Sequence, residues 1–242
     1  IKSGSEYYGN AKIHIAFILE SQGRSEEAIG ILEKAIQTEK EKVELYLMLS
    51  SLYENRKDYD RAIEALDRGL KVDEKNVELI FRMGVVLDKK GDKTQGIKQM
   101  RRILEIQPEH ADALNYIGYT YAEQGIRLDE AIDLIQRALK IKPGSGYIID
   151  SLGWVYYQKG LYDEALKYLL EAANLVPNDP TIIEHLGDVY FKKKMYEKSL
   201  EKYEKALTLN HPQADKVKEK IQQLKRLLKQ TPPESKRSTK AL

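Results

Sequence analysis

The sequence predicts an all-α protein, a superhelical solenoid of six helix-turn-helix repeats closed by a C-terminal capping helix, and three observations predict it. Small residues recur at Ala16, Ser50, Gly84, Gly118, Gly153 and Gly187, spaced 34, 34, 34, 35 and 34. Three positions beyond each stands a large residue, namely Leu19, Tyr53, Leu87, Tyr121, Tyr156 or Tyr190, and twelve or thirteen beyond comes a second mostly small set, Ala28, Ala62, Gly96, Ala131, Ala165 and Ser199. A small residue facing a large one lets two helices approach closely. The composition agrees: 42% hydrophobic, 32% charged and only seven prolines suit charged helices around apolar stripes better than a β-sandwich.

Taken in order, the repeats span about 9–42, 43–76, 77–110, 111–145, 146–179 and 180–213. Each reads as two amphipathic helices broken by a turn such as Lys57-Asp58-Tyr59 or Lys159-Gly160-Leu161-Tyr162. Pro108, Pro143 and Pro177 close three of them; the first two lack that proline. The first repeat also carries Lys12 where a large apolar residue is usual, so it is either a cap or an edge whose neighbour would cover Phe17 or Ile18. The fourth has one extra residue in its turn, Gly125-Ile126-Arg127-Leu128-Asp129, read as a tolerated insertion that buries Leu128, or else as a local contact point. Val217, Ile221, Leu224, Leu227 and Leu228 recur at helical spacing, which predicts a capping helix over 214–230 and completes a solenoid over 1–230. Residues 231–242, with a Pro-Pro pair, no aromatic and many Lys, Ser and Thr, read as a disordered basic tail.

This pattern resembles the tetratricopeptide repeat over residues 9–212. Leu152-Gly153, Tyr156, Ala165, Leu169, Ala172 and Pro177 stand where that family has its landmarks, with Ile149 in place of the usual Trp.

No catalytic machinery is signalled. The absence of cysteine removes disulfides, thiolate metal sites and a catalytic thiol. His14, His110, His185 and His211 are never closer than 26 residues, so no helical histidine pair exists for zinc. Gly144-Ser145-Gly146 lacks the preceding strand and the following Lys of a phosphate loop and reads as a connector. The expectation is therefore no enzyme, no cofactor and no metal, with function carried by a surface.

The resemblance implies which surface. Counting each repeat from seven residues before its small residue, the family buries positions four, seven, eight and eleven of the first helix and turns two, five, nine and twelve to a concave groove. That assigns Ile13, Phe17, Leu47, Ser51, Val85, Asp88 and Asp112 to the groove, and it selects as candidate binding residues Phe81, Asn115, Tyr119, Tyr147, Asp150, Trp154, Tyr157, Glu184, Asp188 and Phe191. The C-terminal half should be aromatic, anchored by the sole tryptophan and acidic between the rings, so the expected partner is an extended or helical peptide with apolar and basic residues. The chaperone-carboxylate clamp of the family is excluded, because position five never offers a lysine and only Arg82 matches the clamp at position six.

Residues 116–207 are similar to a narrower group, through Gly118-Tyr119, Gly125-Ile126-Arg127-Leu128-Asp129-Glu130-Ala131, Gly146-Tyr147-Ile148-Ile149-Asp150-Ser151-Leu152-Gly153-Trp154 and His185-Leu186-Gly187-Asp188. These words resemble the C-terminal repeats of bacterial outer-membrane tetratricopeptide lipoproteins. The resemblance implies a periplasmic scaffold with an envelope protease and cell-wall hydrolases as partners, and a longer parent chain whose leader or lipid anchor is missing before Ile1; the cytoplasm is the alternative compartment.

The net charge of +2 divides unevenly. Residues 1–191 carry 25 Lys and Arg against 32 Asp and Glu, and residues 192–242 carry 15 against 6. The basic end reads as a solvated cap and tail, with anionic lipid next and no nucleic-acid motif. No stretch approaches the roughly 18 consecutive apolar residues of a membrane span. The functional expectation is a non-enzymatic protein-interaction scaffold or adaptor. The alternatives are a self-associating assembly module, through the first repeat, or a regulatory fragment of a larger protein.

Overall fold

The computed structural model describes residues 7–230, so the tail expected over 231–242 lies outside the described residues. Among the described residues the chain forms thirteen α-helices and no strand. They gather into two compact units, one up to Tyr116 and one from Ile117 onward. The first holds α1 (Tyr8–Ser21), α2 (Ser25–Thr38), α3 (Val43–Asn55), α4 (Tyr59–Val72), α5 (Val77–Lys90), α6 (Lys93–Ile106) and the start of α7 (Ala111–Gln124). The second holds the rest of α7 with α8 (Leu128–Ile141), α9 (Gly146–Gln158), α10 (Tyr162–Leu175), α11 (Pro180–Lys192), α12 (Tyr196–Thr208) and α13 (Ala214–Gln230). This is the all-α repeat architecture that the 34-residue period predicts.

The period has a local cause at every hairpin. A residue of positive φ ends each first helix: Gly23, Lys57, Gly91, Gly125, Gly160 and Lys194. The amide of the following residue then donates back to the carbonyl of the large residue of the repeat, as in Asp92 to Leu87 at 2.9 Å and Leu161 to Tyr156 at 3.0 Å. This is a Schellman closure, which satisfies carbonyls that the helix end would leave bare. The second helix then starts on a cap where the sequence supplies one: Asp58 accepts from the Arg61 amide and Asp92 from the Gln95 amide. In the fourth repeat the additional residue places Arg127 in a second left-handed position, φ 49°, with no side-chain cap. Leu128 there is half-buried, not sequestered as the sequence suggested.

The small residues mark where helices touch. A Cβ on Gly153 would sit 2.7 Å from Leu169 Cγ, and one on Gly187 2.5 Å from two ring carbons of Tyr203. In each unit, helices pair within a repeat and stack on the next one: α2 on α3 and α4 on α5 in the first unit, α8 on α9, α10 on α11 and α12 on α13 in the second. First helices of successive repeats also meet, α3 with α5 and α9 with α11. Leu45, Leu49, Leu66 and Leu79 are fully buried in the first unit, and Leu169, Val189, Val217 and Leu224 in the second. Each such side chain contributes about 1.5–3 kcal/mol relative to exposure.

Acid-base pairs 30 residues apart run along the hairpin turns. Arg56 meets Glu26 at 2.6 Å, Lys90 meets Asp60 at 2.6 Å, Lys159 pairs with Asp129 and Lys193 with Asp163. The carboxylates are largely exposed, so each pair adds at most about 1 kcal/mol. At the first repeat, Phe17 and Ile18 are 65% and 52% exposed.

Candidate functional site

In the second unit, α9 and α11 lie side by side and bring repeat positions five, six, nine and twelve together. Trp154, at position nine of α9, is stacked between two rings. The Tyr157 ring lies 4.7 Å away at 11° and the His185 ring 4.1 Å away at 16°. The indole is half-buried, and its Nε1 has no hydrogen-bond partner among the described residues.

His185 is buried, and its Nδ1 lies 2.9 Å from Asp150 Oδ1. Burial pushes the imidazole toward the neutral form, but Asp150, with Asp188 and Glu184 behind it, outweighs burial and holds its pKa above the usual histidine value. The Trp154 ring therefore rests on a group biased toward imidazolium, a stacking that the ring quadrupole favours.

A second polar cluster sits beside the first. Asp188 accepts from the Tyr203 hydroxyl at 2.6 Å and from Lys220 Nζ at 2.6 and 2.7 Å. Lys220, from α13, also reaches Glu184 at 2.8 Å, and its Nζ lies 5.5 Å from the Tyr203 ring centre. Burial alone would lower the Lys220 pKa, yet the Asp188 and Glu184 carboxylates raise it above the ordinary value. His211 Nε2 lies 2.8 Å from the other Glu184 oxygen. A cleft of about 180 Å³ opens here, lined by Tyr157, Asp188, Phe191, Lys192, Tyr203, Lys220 and Gln223.

This corrects the acidic character expected of the groove. Asp150 and Asp188 are each only 7% exposed, and with Glu184 they are met by His185, Lys220 and His211. The physical reason is desolvation, since a carboxylate pushed between packed helices must find a counter-charge. What the surface offers instead is aromatic. Tyr147 is 59% exposed, while Tyr119, Trp154, Tyr157 and Phe191 are half-buried. The Tyr119 and Tyr157 hydroxyls are held in the neutral form, first by burial and then by nearby carboxylates, Glu123 and Asp150 for Tyr119 and Asp188 for Tyr157.

Phe81 and Asn115 belong to the first unit. Phe81 is half-buried, with its ring 6.0 Å from that of His110, and the Asn115 Oδ1 has no hydrogen-bond partner among the described residues. Sequence reasoning missed His185, Lys220, Tyr203 and His211. Lys220 carried a signal, standing on the same helical face as Val217, Ile221 and Leu224, where a lysine needs a partner. His185 carried one too, occupying position six of a repeat, beside position five of the repeat before it. The nearby hydroxyls are engaged, Ser151 with the Tyr147 carbonyl and Ser199 with the Gly187 carbonyl.

Comparison with known proteins adds the following. Tetratricopeptide-repeat profiles match residues 19–83, 81–146 and 181–211, and a TPR-repeat profile matches 153–194. A stretch of 50 residues is 46% identical to the TPR repeat-containing protein PA4667 of Pseudomonas aeruginosa, which spans 21% of this chain and 8% of that protein. Among solved structures, MamA is 26% identical with a TM-score of 0.57, over 71% of this chain and 93% of its own. PilW, a type IV pilus biogenesis factor, is 16% identical with a TM-score of 0.72, over 90% of this chain and 100% of its own. YrrB, described as a TPR protein with an unusual peptide-binding site, is 23% identical with a TM-score of 0.53, over 69% and 85%. At those identities PilW and YrrB share the fold alone.

Proposed function

The chain belongs to the tetratricopeptide-repeat family, and from that premise we propose that it is a non-enzymatic scaffold that holds a segment of a partner protein on the aromatic face of α9 and α11. One observation carries the reading. Trp154 is half-buried and stacked in place by Tyr157 and His185, so the part of the indole that reaches the surface is a rigid apolar anchor. Rigid aromatic anchors of this kind supply most of the energy at protein interfaces, about 2 kcal/mol or more each. With Asp150 and Asp188 buried and paired with His185 and Lys220, apolar and aromatic side chains of the partner are favoured there over basic ones. The unusual peptide-binding site of YrrB, on the same fold, is in keeping with this role. A periplasmic setting, with an envelope protease or cell-wall enzyme as partner, rests on the likeness of residues 116–207 to outer-membrane lipoprotein repeats.

The test is capture from a bacterial envelope extract by the wild-type chain beside Trp154→Ala, both verified as equally helical. A partner retained by the first and lost by the second supports the groove. Identical partners with both overturn it. A second reading, self-association, is favoured by the exposure of Phe17 and Ile18 on α1. It predicts a concentration-dependent oligomer in sedimentation that Phe17→Asp abolishes.

A further inference from the structure

The first unit carries a cleft of its own, of about 290 Å³, lined by Val77, Glu78, Phe81, His110 and Asp112. That lies just below the roughly 300–1,000 Å³ of small-molecule pockets, so it suits part of a ligand, such as one side chain. Val77 and Phe81, one turn apart on α5, make its apolar floor, and the His110 ring is tilted 36° against Phe81. His110 Nδ1 accepts from the Ala113 amide at 3.2 Å, which holds the ring in place. At the rim are two carboxylates, both exposed. Glu78 forms no ion pair or hydrogen bond among the described residues, and none of the five lining residues is a Lys or Arg.

The second unit shows how this chemistry is completed. There Lys220 lies near an aromatic ring with its ammonium on two carboxylates, Asp188 and Glu184. The chain supplies its own cation in that place. In the first unit an aromatic ring and the Glu78 carboxylate recur, and the cleft between them is lined by no lysine or arginine.

We propose that the cleft lined by Phe81, Val77 and Glu78 receives a lysine or arginine side chain of a partner segment, its stem on Phe81 and Val77 and its charge on Glu78. This deepens the scaffold reading and rests on it. A long cationic side chain covers apolar surface with its methylenes while its head stays at the polar rim. The aromatic floor adds a cation–π attraction.

The test uses two capped tripeptides, acetyl-Leu-Arg-Leu-amide and its citrulline counterpart, which keeps the shape and removes the charge. They are titrated into the chain with the NMR signals of Val77, Phe81 and His110 as readout. The expected result is saturable shifts with the arginine peptide and roughly two- to fivefold weaker binding with citrulline or in Glu78→Gln, the loss of one exposed charge pair. Glu78 is exposed, so this variant keeps the fold, which circular dichroism checks. No shifts at these residues, equal affinity for both peptides, or an unchanged affinity in Glu78→Gln would overturn the proposal. Trp154→Ala leaves this titration unchanged, so failure here and failure of the Trp154 groove are read separately.

Discussion

Removing the carboxylate from the Asp150–His185 pair should be visible through the ring stacked on it. The two side chains are 9% and 6% exposed, and each is the other's direct partner. Deleting one member of a buried pair costs about 3–5 kcal/mol, because the remaining charge is left unpaired. The His185 pKa is raised in the folded state. The stability that this pair adds is therefore fully present below the unfolded histidine value of about 6.5, and it is lost as pH rises through the higher folded value. In Asp150→Asn, burial faces only Asp188 and Glu184, so the folded value falls and much of the protonated-state stability goes with it. Trp154 is the only tryptophan, and an imidazolium in contact with an indole quenches its emission. Fluorescence followed from about pH 5 to pH 9 should brighten with a midpoint above the ordinary histidine range in wild type. The midpoint should drop in Asp150→Asn, and the transition should vanish in His185→Gln while surviving in His211→Gln. Urea unfolding near pH 6 should show the Asp150→Asn loss at its largest and near pH 9 at its smallest. A midpoint that ignores Asp150→Asn, or a variant equally destabilised at both pH values, would refute the coupling.

Four further outcomes follow from packing, backbone geometry and charge pairing. Gly187→Ala should destabilise by about 1–2 kcal/mol in urea unfolding, because its Cβ meets a Tyr203 ring tethered to Asp188, an overpacking cost that exceeds the helix-propensity gain of about 1 kcal/mol. Gly30→Ala, where nothing lies within 4 Å, should instead stabilise by roughly 0.5–1 kcal/mol in the same assay, and equal signs for the two would sink the argument. Lys57→Gly should raise the thermal midpoint, since Lys57 holds φ 60° at a position filled by glycine in four of the six turns; relief of left-handed strain is worth about 1 kcal/mol. Lys220→Met should cost about 2 kcal/mol, discounted for a side chain 34% exposed, and the loss should shrink when Asp188→Asn is combined with it, as a double-mutant cycle would show.

The fold was legible in the sequence because its causes are local and repeat. The αL turn residue, the carbonyl of the large residue it closes on and the glycine against the facing helix all fall at one period, so any of them finds the architecture. The aromatic part of the site was legible for the same reason. Trp154 and Tyr157 follow from their places in the repeat, whatever surrounds them. The charges were not, because a carboxylate's effective charge depends on a partner that position alone does not name. Asp150 reads as groove acid by its place in its own repeat, and its neutralising His185 lies 35 residues on.

Yet such partners are not scattered. In a stack of 34-residue repeats, a side chain reaches its neighbour at nearly the same offset each time, and the pairs of Glu26 with Arg56, Asp60 with Lys90, Asp129 with Lys159 and Asp163 with Lys193 all lie 30 apart. Counting charge along this chain therefore misstates its surface: Asp150 and Asp188 are answered about one repeat away, by His185 and Lys220, while Glu78 has no ion pair or hydrogen bond among the described residues. On the proposal above, that contrast, more than the total of acids, sets where a basic partner residue binds.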